Sequence, residues 1–485
     1  MAGIVWLWNG SGYRACADPR GTGREAGPPD EYDAVIVEAG EIGEADAAGR
    51  HGGGTLVLNA GAPAFAGWSA AEIHRRLRRS GAAAREAEDV QDAARTYAVS
   101  LFQLRPVAAA AHRTAAMPRR EAGRALPGAG TSIREAAARP LSEQDGRYRP
   151  LARLAARALY ACGLDNGIVE LAEDEAGACF VTGVRLPGGG AYARGVWQAA
   201  AAGLARELAA AADAGEAGER PRILLGADPE FLLLSDAGKV VSAARYLANG
   251  HGAGCDAVVV GGEVRYPVAE LRPAPSPTPD GLARNVRLLL RQAARRIPDR
   301  PPLRWAAGGM PAAGFSLGGH LHLSGVPLTG RLLRQLDSCV AFPLAMVESP
   351  AEQARRPRYG ALGDFRQQPH GGFEYRTPPS WLVSPLAAKA AFALALLCAR
   401  ETASLSYVPA EEERYVEAYY AGDRRALAGC LDRLAASMRA TRSYAELGKW
   451  IEPLLAAIRA GRTWDAAADI RDKWRVASTP IASAP

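Results

Sequence analysis

Cysteine is sparse and shows no pattern of pairs. The seven residues (Cys16, Cys162, Cys179, Cys255, Cys339, Cys398 and Cys430) are odd in number, widely scattered, and form no C-x-x-C. This excludes a disulfide scaffold and a zinc site of the usual spacing, and it points to reduced thiols in a cytoplasmic protein. Long apolar runs are also missing. The most apolar stretch, Ala387–Ala399, is too short to span a bilayer and reads as a core helix after a proline start. The opening MAGIVWLWNGSG lacks the basic and long apolar segments of a secretion signal, and reads as a strand running into a turn. No G-x-x-x-x-G-K-[ST] occurs and no G-x-G-x-x-G follows a strand, so neither a P-loop nor a dinucleotide fingerprint is present. Basic residues (58, against 52 acidic) form no run interleaved with aromatics, which argues against nucleic acid as a partner.

What is present is a chain of 485 residues, 48% hydrophobic and 23% charged, enough for several globular domains. Residues 1–107 read as a small α/β domain. Strands are expected at Ile4–Trp8, Ala34–Glu38 and Thr55–Asn59, and Ser69 to Glu72 is a capping box opening a helix. Residues 108–147, rich in Ala, Arg, Pro and Gly without periodicity, read as a linker or mobile loop. Within 148–215 a helix (Pro150–Cys162) precedes two strands (Ile168–Ala172 and Cys179–Leu186), with a hinge expected at Gly215–Arg220. Residues 221–405 form the next domain, and 406–485 a helical appendage with amphipathic stretches at Tyr415–Met438 and Tyr444–Ile458.

The chemistry concentrates between residues 221 and 405. Four strand-like segments each carry two polar groups at i and i+2: Asp228 and Glu230 in GADPEF, Glu270 and Arg272 in AELRP, His320 and His322 in GGHLHLS, and Glu374 and Arg376 in FEYRTPP. Residues two apart on a strand share a face. Each pair therefore projects from one side, with Leu271, Leu321 and Tyr375 on the other. Any one pair could be ordinary cross-strand ion pairing. Four of them, each beside Gly or Pro at a strand end, instead resemble a site, and four of the seven histidines (His251, His320, His322 and His370) fall in this region. Crowded carboxylates need neutralising, which hard divalent cations with oxygen ligands do. An imidazole among the ligands is compatible with Mn²⁺ as well as Mg²⁺. Arginines beside such carboxylates are suited to a transferring phosphoryl group.

These segments resemble a known family. GADPEFLLL is similar to the first metal strand of glutamine synthetase, GFSLGGHLHLS to its His-x-His strand, and FEYRTPPS to its Glu-x-Arg strand, while VAELRPAPSPTP looks more like glutamate–cysteine ligases. Over residues 222–400 the chain is identified as a member of the putative amidoligases, the second phage type of carboxylate–amine ligase. The resemblance implies an α+β fold: a curved, mainly antiparallel sheet with helices on the face opposite the acids. It implies ATP and Mg²⁺ (or Mn²⁺) as cofactors, and small-molecule or peptide carboxylate and amine substrates, with no nucleic acid and no membrane. Carried over, Glu230 and Glu270 hold one metal, and Asp228, His320 and Glu374 the other. Arg272, His322 and Arg376 face the phosphates or an acyl phosphate, and Ser324, Arg358 and Arg366 lie toward the nucleotide. Glutamine synthetase has Glu at the position of Asp228 and a further Glu near that of Glu270, so the number of metals stays open. The segment ALYACGLDNGIVELAEDEAGACFVTGVRLPG is similar to the end of an ATP-grasp domain, but Val184-Arg185-Leu186 replaces the family's Glu-x-Asn, so the segment reads either as a degenerate remnant retaining Glu170 or as a helix-hairpin packing module. Two other readings of the 221–405 region stand beside the ligase: a non-catalytic scaffold that keeps the fold, and a guanidino phosphotransferase.

Overall fold

The computed structural model describes residues 3–30, 32–40, 55–85, 95–112, 139–188, 190–218, 222–260, 263–369 and 371–476. The chain forms two compact units, residues 1–218 and 219–485.

In the first unit, β1 (Val5–Trp8), β2 (Tyr13–Ala17), β3 (Ala34–Val37) and β4 (Leu56–Leu58) make a sheet of order β2-β1-β3-β4, parallel across β1, β3 and β4. The three strands expected here are thus present, and Ser69 caps helix Ala70–Arg79 by accepting from the Glu72 N–H. A second sheet, fully antiparallel, joins β5 (Arg95–Phe102), β6 (Arg105–His112), β7 (Arg139–Pro140), β8 (Gly167–Glu173) and β9 (Cys179–Arg185) in the order β7-β6-β5-β8-β9. Because β5 pairs with β8, residues on both sides of the expected linker share one sheet. Of the expected linker, residues 108–112 continue β6, 139–140 form β7, and 113–138 lie outside the described residues. Helix Gly195–Glu216 packs Trp197, Ala201, Leu204 and Ala205 against Val5, Leu7, Ile36 and Phe102. It also takes in the start of the expected hinge, and its Ala-rich sequence hides its period because Ala fits either face.

The second unit is built on eight strands, all paired antiparallel: β10 (Leu224–Leu234), β11 (Val240–Val241), β12 (Gly252–Val260), β13 (Glu263–Arg272), β14 (Arg304–Ala306), β15 (Gly319–Ser324), β16 (Phe365–Gln367) and β17 (Phe373–Tyr375). The sheet is curled, of order β12-β13-β10-β15-β17-β16, with β11 and β14 added along β10. One-sided burial sets its chemistry. Phe231, Ala269, Leu271, Leu321, Leu323, Phe373 and Tyr375 are all buried, and helices Pro279–Ala294 and Pro385–Arg400 pack on the sheet. The Ala387–Ala399 run lies inside the second of these helices, which is itself covered by helix Tyr444–Arg459, so it is apolar apart from Lys389, which pairs with Asp280. No helix among the described residues is long and apolar enough to cross a membrane.

The helices beyond residue 405 (Glu413–Ala421, Arg424–Ala428, Leu431–Arg439, Tyr444–Arg459 and Ile470–Trp474) belong to the same compact unit as the sheet. Trp474 Nε1 donates to the Leu382 carbonyl (2.7 Å), and Asp469 Oδ2 accepts from the Trp305 N–H (3.3 Å). Both bonds tie the end of the chain to the frame of the sheet.

Phe392 lies at the centre of this packing, edge-on to Trp381 at 4.6 Å. Replacing it by alanine should cost about 3–5 kcal/mol, since a large cavity would open among fixed neighbours. Leu288, which is 60% exposed, should tolerate the same change within about 0.5 kcal/mol. Denaturant unfolding of the full chain, followed through the transition of residues 219–485, measures both.

Candidate active site

The register of the sheet gathers the four pairs. Glu230 is opposite Glu270, Asp228 opposite His320, Gly226 opposite His322, and His322 opposite Glu374. Seven of the eight residues sit at alternate positions of adjoining strands, so their side chains share a face, and Arg376 follows directly after β17. Leu271, Leu321 and Tyr375 are buried on the reverse face.

Two clusters result. In one, ligand atoms of Asp228, His322 and Glu374 lie within 4.8 Å of one another, and in the other, those of Glu230, Asp256 and Glu270 do so. Asp256 was not singled out from the sequence. It stands on β12 across from Val268, two residues beyond the Gly254–Glu270 pair, so it extends the acidic row to the next strand. The signal for it was a lone acid inside GAGCDAVVV, which becomes informative only once β12 is known to flank β13. His320 sits between the carboxylates: its Nδ1 is 3.1 Å from Asp228 Oδ1 and 3.3 Å from Glu374 Oε1. His322 Nε2 is 3.2 Å from Asp228 Oδ2. The imidazole of His320 fits only because residue 318 is glycine, since a Cβ there would come within 2.2 Å of its Nε2. Gly318 in turn donates its N–H to Glu230 Oε2 at 2.7 Å.

The arginines complete the face. Arg272 pairs with Glu270 and donates to the Gly250 carbonyl at 2.6 Å. Arg376 Nε is 3.0 Å from Glu374 Oε1, and Arg366 Nη2 is 2.5 Å from Glu374 Oε2. Ser324, partly exposed, ends β15 opposite Leu224. Arg358 is exposed over the Tyr359 ring (5.5 Å) and contacts neither cluster among the described residues. Arg355 and Arg356, on the approach to β16, are buried. Arg355 donates to the carbonyls of Thr377 and Pro378, and Arg356 pairs with Glu348 at 2.7 Å. His251 is exposed, and His370 lies outside the described residues. In the first unit, Glu170 is half exposed and paired with Arg185 at 3.0 Å across its hairpin.

The electrostatics fit a cation site. Burial would raise the Asp228 carboxyl, but the imidazoles of His320 and His322 outweigh it and hold Asp228 below the usual range. Burial opposes the charged form of His320, yet Asp228 prevails and raises its pKa. Burial pushes Glu230 up to about 7, and burial together with the Asp228 charge pushes Glu270 up to about 8. Asp228 Oδ1, Glu270 Oε2, His320 Nδ1, His322 Nε2 and Glu374 Oε1 are buried atoms without a hydrogen bond of good geometry. Buried oxygens and imidazole nitrogens in ion-pair contact alone are of the kinds that could serve a divalent cation.

A cation binds ionised carboxylates, so binding at pH 7 should expel protons from Glu230 and Glu270. Both carboxyls hold protons more tightly folded than unfolded. Without a cation, stability should therefore fall as pH rises from the ordinary value of 4.5 through about 8, and Mn²⁺ should restore it. Calorimetric titration of Mn²⁺ in buffers of different ionisation enthalpy should show proton release near pH 7, and none near about pH 10.

The family of phage phiEco32-like COOH.NH2 ligases, type 2, matches residues 225–476. Similar solved structures include GmaS without ligand, at 16% identity over 52% of this chain and 72% of that one, with a TM-score of 0.30. A bifunctional glutathione synthetase from Pasteurella multocida has 12% identity over 53% of this chain and 48% of that one, with a TM-score of 0.30. A GmaS–ADP complex has 14% identity over 53% and 74%, with a TM-score of 0.25. These similarities are too distant to bear on the site. No curated protein matches the sequence.

Proposed function

The chain belongs to the phage phiEco32-like COOH.NH2 ligase-type 2 family, and we propose that residues 224–400 carry out ATP-dependent joining of a carboxylate to an amine through an acyl phosphate. The observation that carries this reading is the single sheet face with two three-residue clusters, buried polar atoms without a good hydrogen bond and three arginines. Glu230, Asp256 and Glu270 would hold one divalent cation, and Asp228, His322 and Glu374 a second. This ligand set uses His322 where the sequence alone suggested His320, and leaves His320 bracing Asp228 and Glu374. When bound, Mg²⁺ or Mn²⁺ would neutralise phosphate charge that the carboxylates by themselves would repel.

In the proposed reaction a substrate carboxylate oxygen attacks the γ-phosphorus of ATP, and ADP leaves. An amine nitrogen then attacks the acyl carbon, phosphate leaves, and the nitrogen loses a proton. Activation is needed because a free carboxylate is a poor electrophile. The chain's own part is placement and charge. Arg272, Arg366 and Arg376 border the acidic clusters, where planar guanidiniums can meet phosphoryl oxygens as charge spreads over them. The carboxylates and imidazoles beside them stand on paired strands, so little reorganisation of the acidic face is needed at the moment of transfer. Holding both reactants in line contributes about 7–11 kcal/mol at best.

The test is Mg²⁺-dependent ADP release from ATP with pooled carboxylates and amines, with the amide product read by mass spectrometry. Glu374→Gln should lower turnover about 10²–10³-fold without unfolding the protein. Arg376→Lys should also impair it, because a point charge replaces a planar fork. Mg·ATP should raise the melting temperature of the wild type. No thermal shift with Mg·ATP or Mn·ATP, together with no ADP release, would favour a non-catalytic scaffold.

A further inference from the structure

Glu374 is wholly buried, and both of its oxygens face cations. Oε2 accepts from Arg366 through Nε (2.6 Å) and from Gln368 Nε2 (3.1 Å), with Arg366 Nη2 at 2.5 Å. Oε1 faces Arg376 Nε at 3.0 Å and His320 Nδ1 at 3.3 Å. The same carboxylate is one of the three groups that share the spacing for a cation with Asp228 and His322. Arg366 and Gln368 hold Oε2, which leaves Oε1, the oxygen without a good hydrogen bond, for the cation, and both donors draw carboxylate charge away from it. A divalent ion and a guanidinium on one buried carboxylate would also repel each other strongly.

The three arginines of the face are not held alike. Arg272 is anchored a second time by the Gly250 carbonyl. Arg376 has a side chain only 26% exposed. Arg366 has a side chain 51% exposed and sits on β16, the three-residue strand at the edge of the sheet. Its hydrogen bonds among the described residues all go to Glu374. It is the guanidinium with the least to lose on swinging outward.

We propose that Arg366 is an exchangeable counter-cation of Glu374. It neutralises the buried carboxylate, gives way when a divalent cation takes the Asp228–His322–Glu374 cluster, and is thereby released with its donors free to meet a phosphate. The inference rests on the reading of that cluster as a cation site. Its consequence is coupling: cation binding and nucleotide binding promote each other because one displaces the arginine that the other needs, and such coupling is reciprocal.

The experiment is Mn²⁺ binding to the full chain, measured by electron paramagnetic resonance without nucleotide, beside ATP binding at saturating Mn²⁺. Arg366→Gln should bind Mn²⁺ about tenfold more tightly than the wild type and ATP correspondingly more weakly. Arg366→Lys, which keeps the competing charge, should return Mn²⁺ affinity toward the wild-type value. Gln368→Ala removes the other donor to the same oxygen and should tighten Mn²⁺ binding by a smaller factor. An arginine that merely orients Glu374 predicts the opposite sign, so unchanged or weaker Mn²⁺ binding by Arg366→Gln at an unchanged melting temperature overturns the exchange and leaves the cation site standing. A wild type that binds no Mn²⁺ overturns the cation site and the exchange together.

Discussion

Five carboxylates (Asp228, Glu230, Asp256, Glu270 and Glu374) are held together on one face of a single sheet, and this crowding is the constraint on which the second unit depends. Like charges at such spacing resist burial, and each acid here is balanced in a different way. Asp228 has two imidazoles, Glu374 has two guanidiniums, an imidazole and an amide, and Glu270 has one arginine. Glu230 and Glu270 are also displaced toward the protonated form, the remaining way for a buried acid to shed charge. The arrangement is stable as a fold yet retains groups whose charge a bound cation could replace.

That face can be polar because the other is not. The alternate residues of the site strands are buried on the reverse face, where the largely apolar helix Pro385–Arg400 packs. A slip of one residue in β10, β15 or β17 would place Leu and Phe in the cleft and acids in the core, so the hydrophobic reverse face fixes the register of the site.

The C-terminal segment extends this control to the loop that leads into β15. Glu352 is fully buried and receives the Gly309 N–H and the Trp464 indole, the latter at 2.5 Å. Gly309 begins a turn that returns at Gly318, whose N–H holds Glu230. Ser380 Oγ grips the same residue by its carbonyl at 2.6 Å. A chain of hydrogen bonds thus runs from Trp464 to a candidate cation ligand, which explains why the helices after residue 405 pack as part of the unit instead of hanging from it.

Much of this was determined by the sequence alone. The i, i+2 spacing of the four polar pairs places each on one face wherever a strand forms, and the apolar residues between them predict a one-sided sheet. Strand period is local, so it can be read without knowing the partners. The same holds for the Ser69 cap and for the apolar run at Ala387–Ala399. What only the tertiary structure decided was adjacency. Asp256 joins Glu230 and Glu270 because β12 lies beside β13, and Arg355 and Arg356 turn inward because Glu348 and backbone carbonyls wait for them there. Which imidazole nitrogens approach Asp228 and Glu374 depends on side-chain rotamers, which a strand pattern does not specify. In the first unit, β5 found β8 across a long insertion, and an Ala-rich helix formed where no period showed. Pairing and rotamer choice are settled by packing between distant segments, and packing has no local signature in the chain.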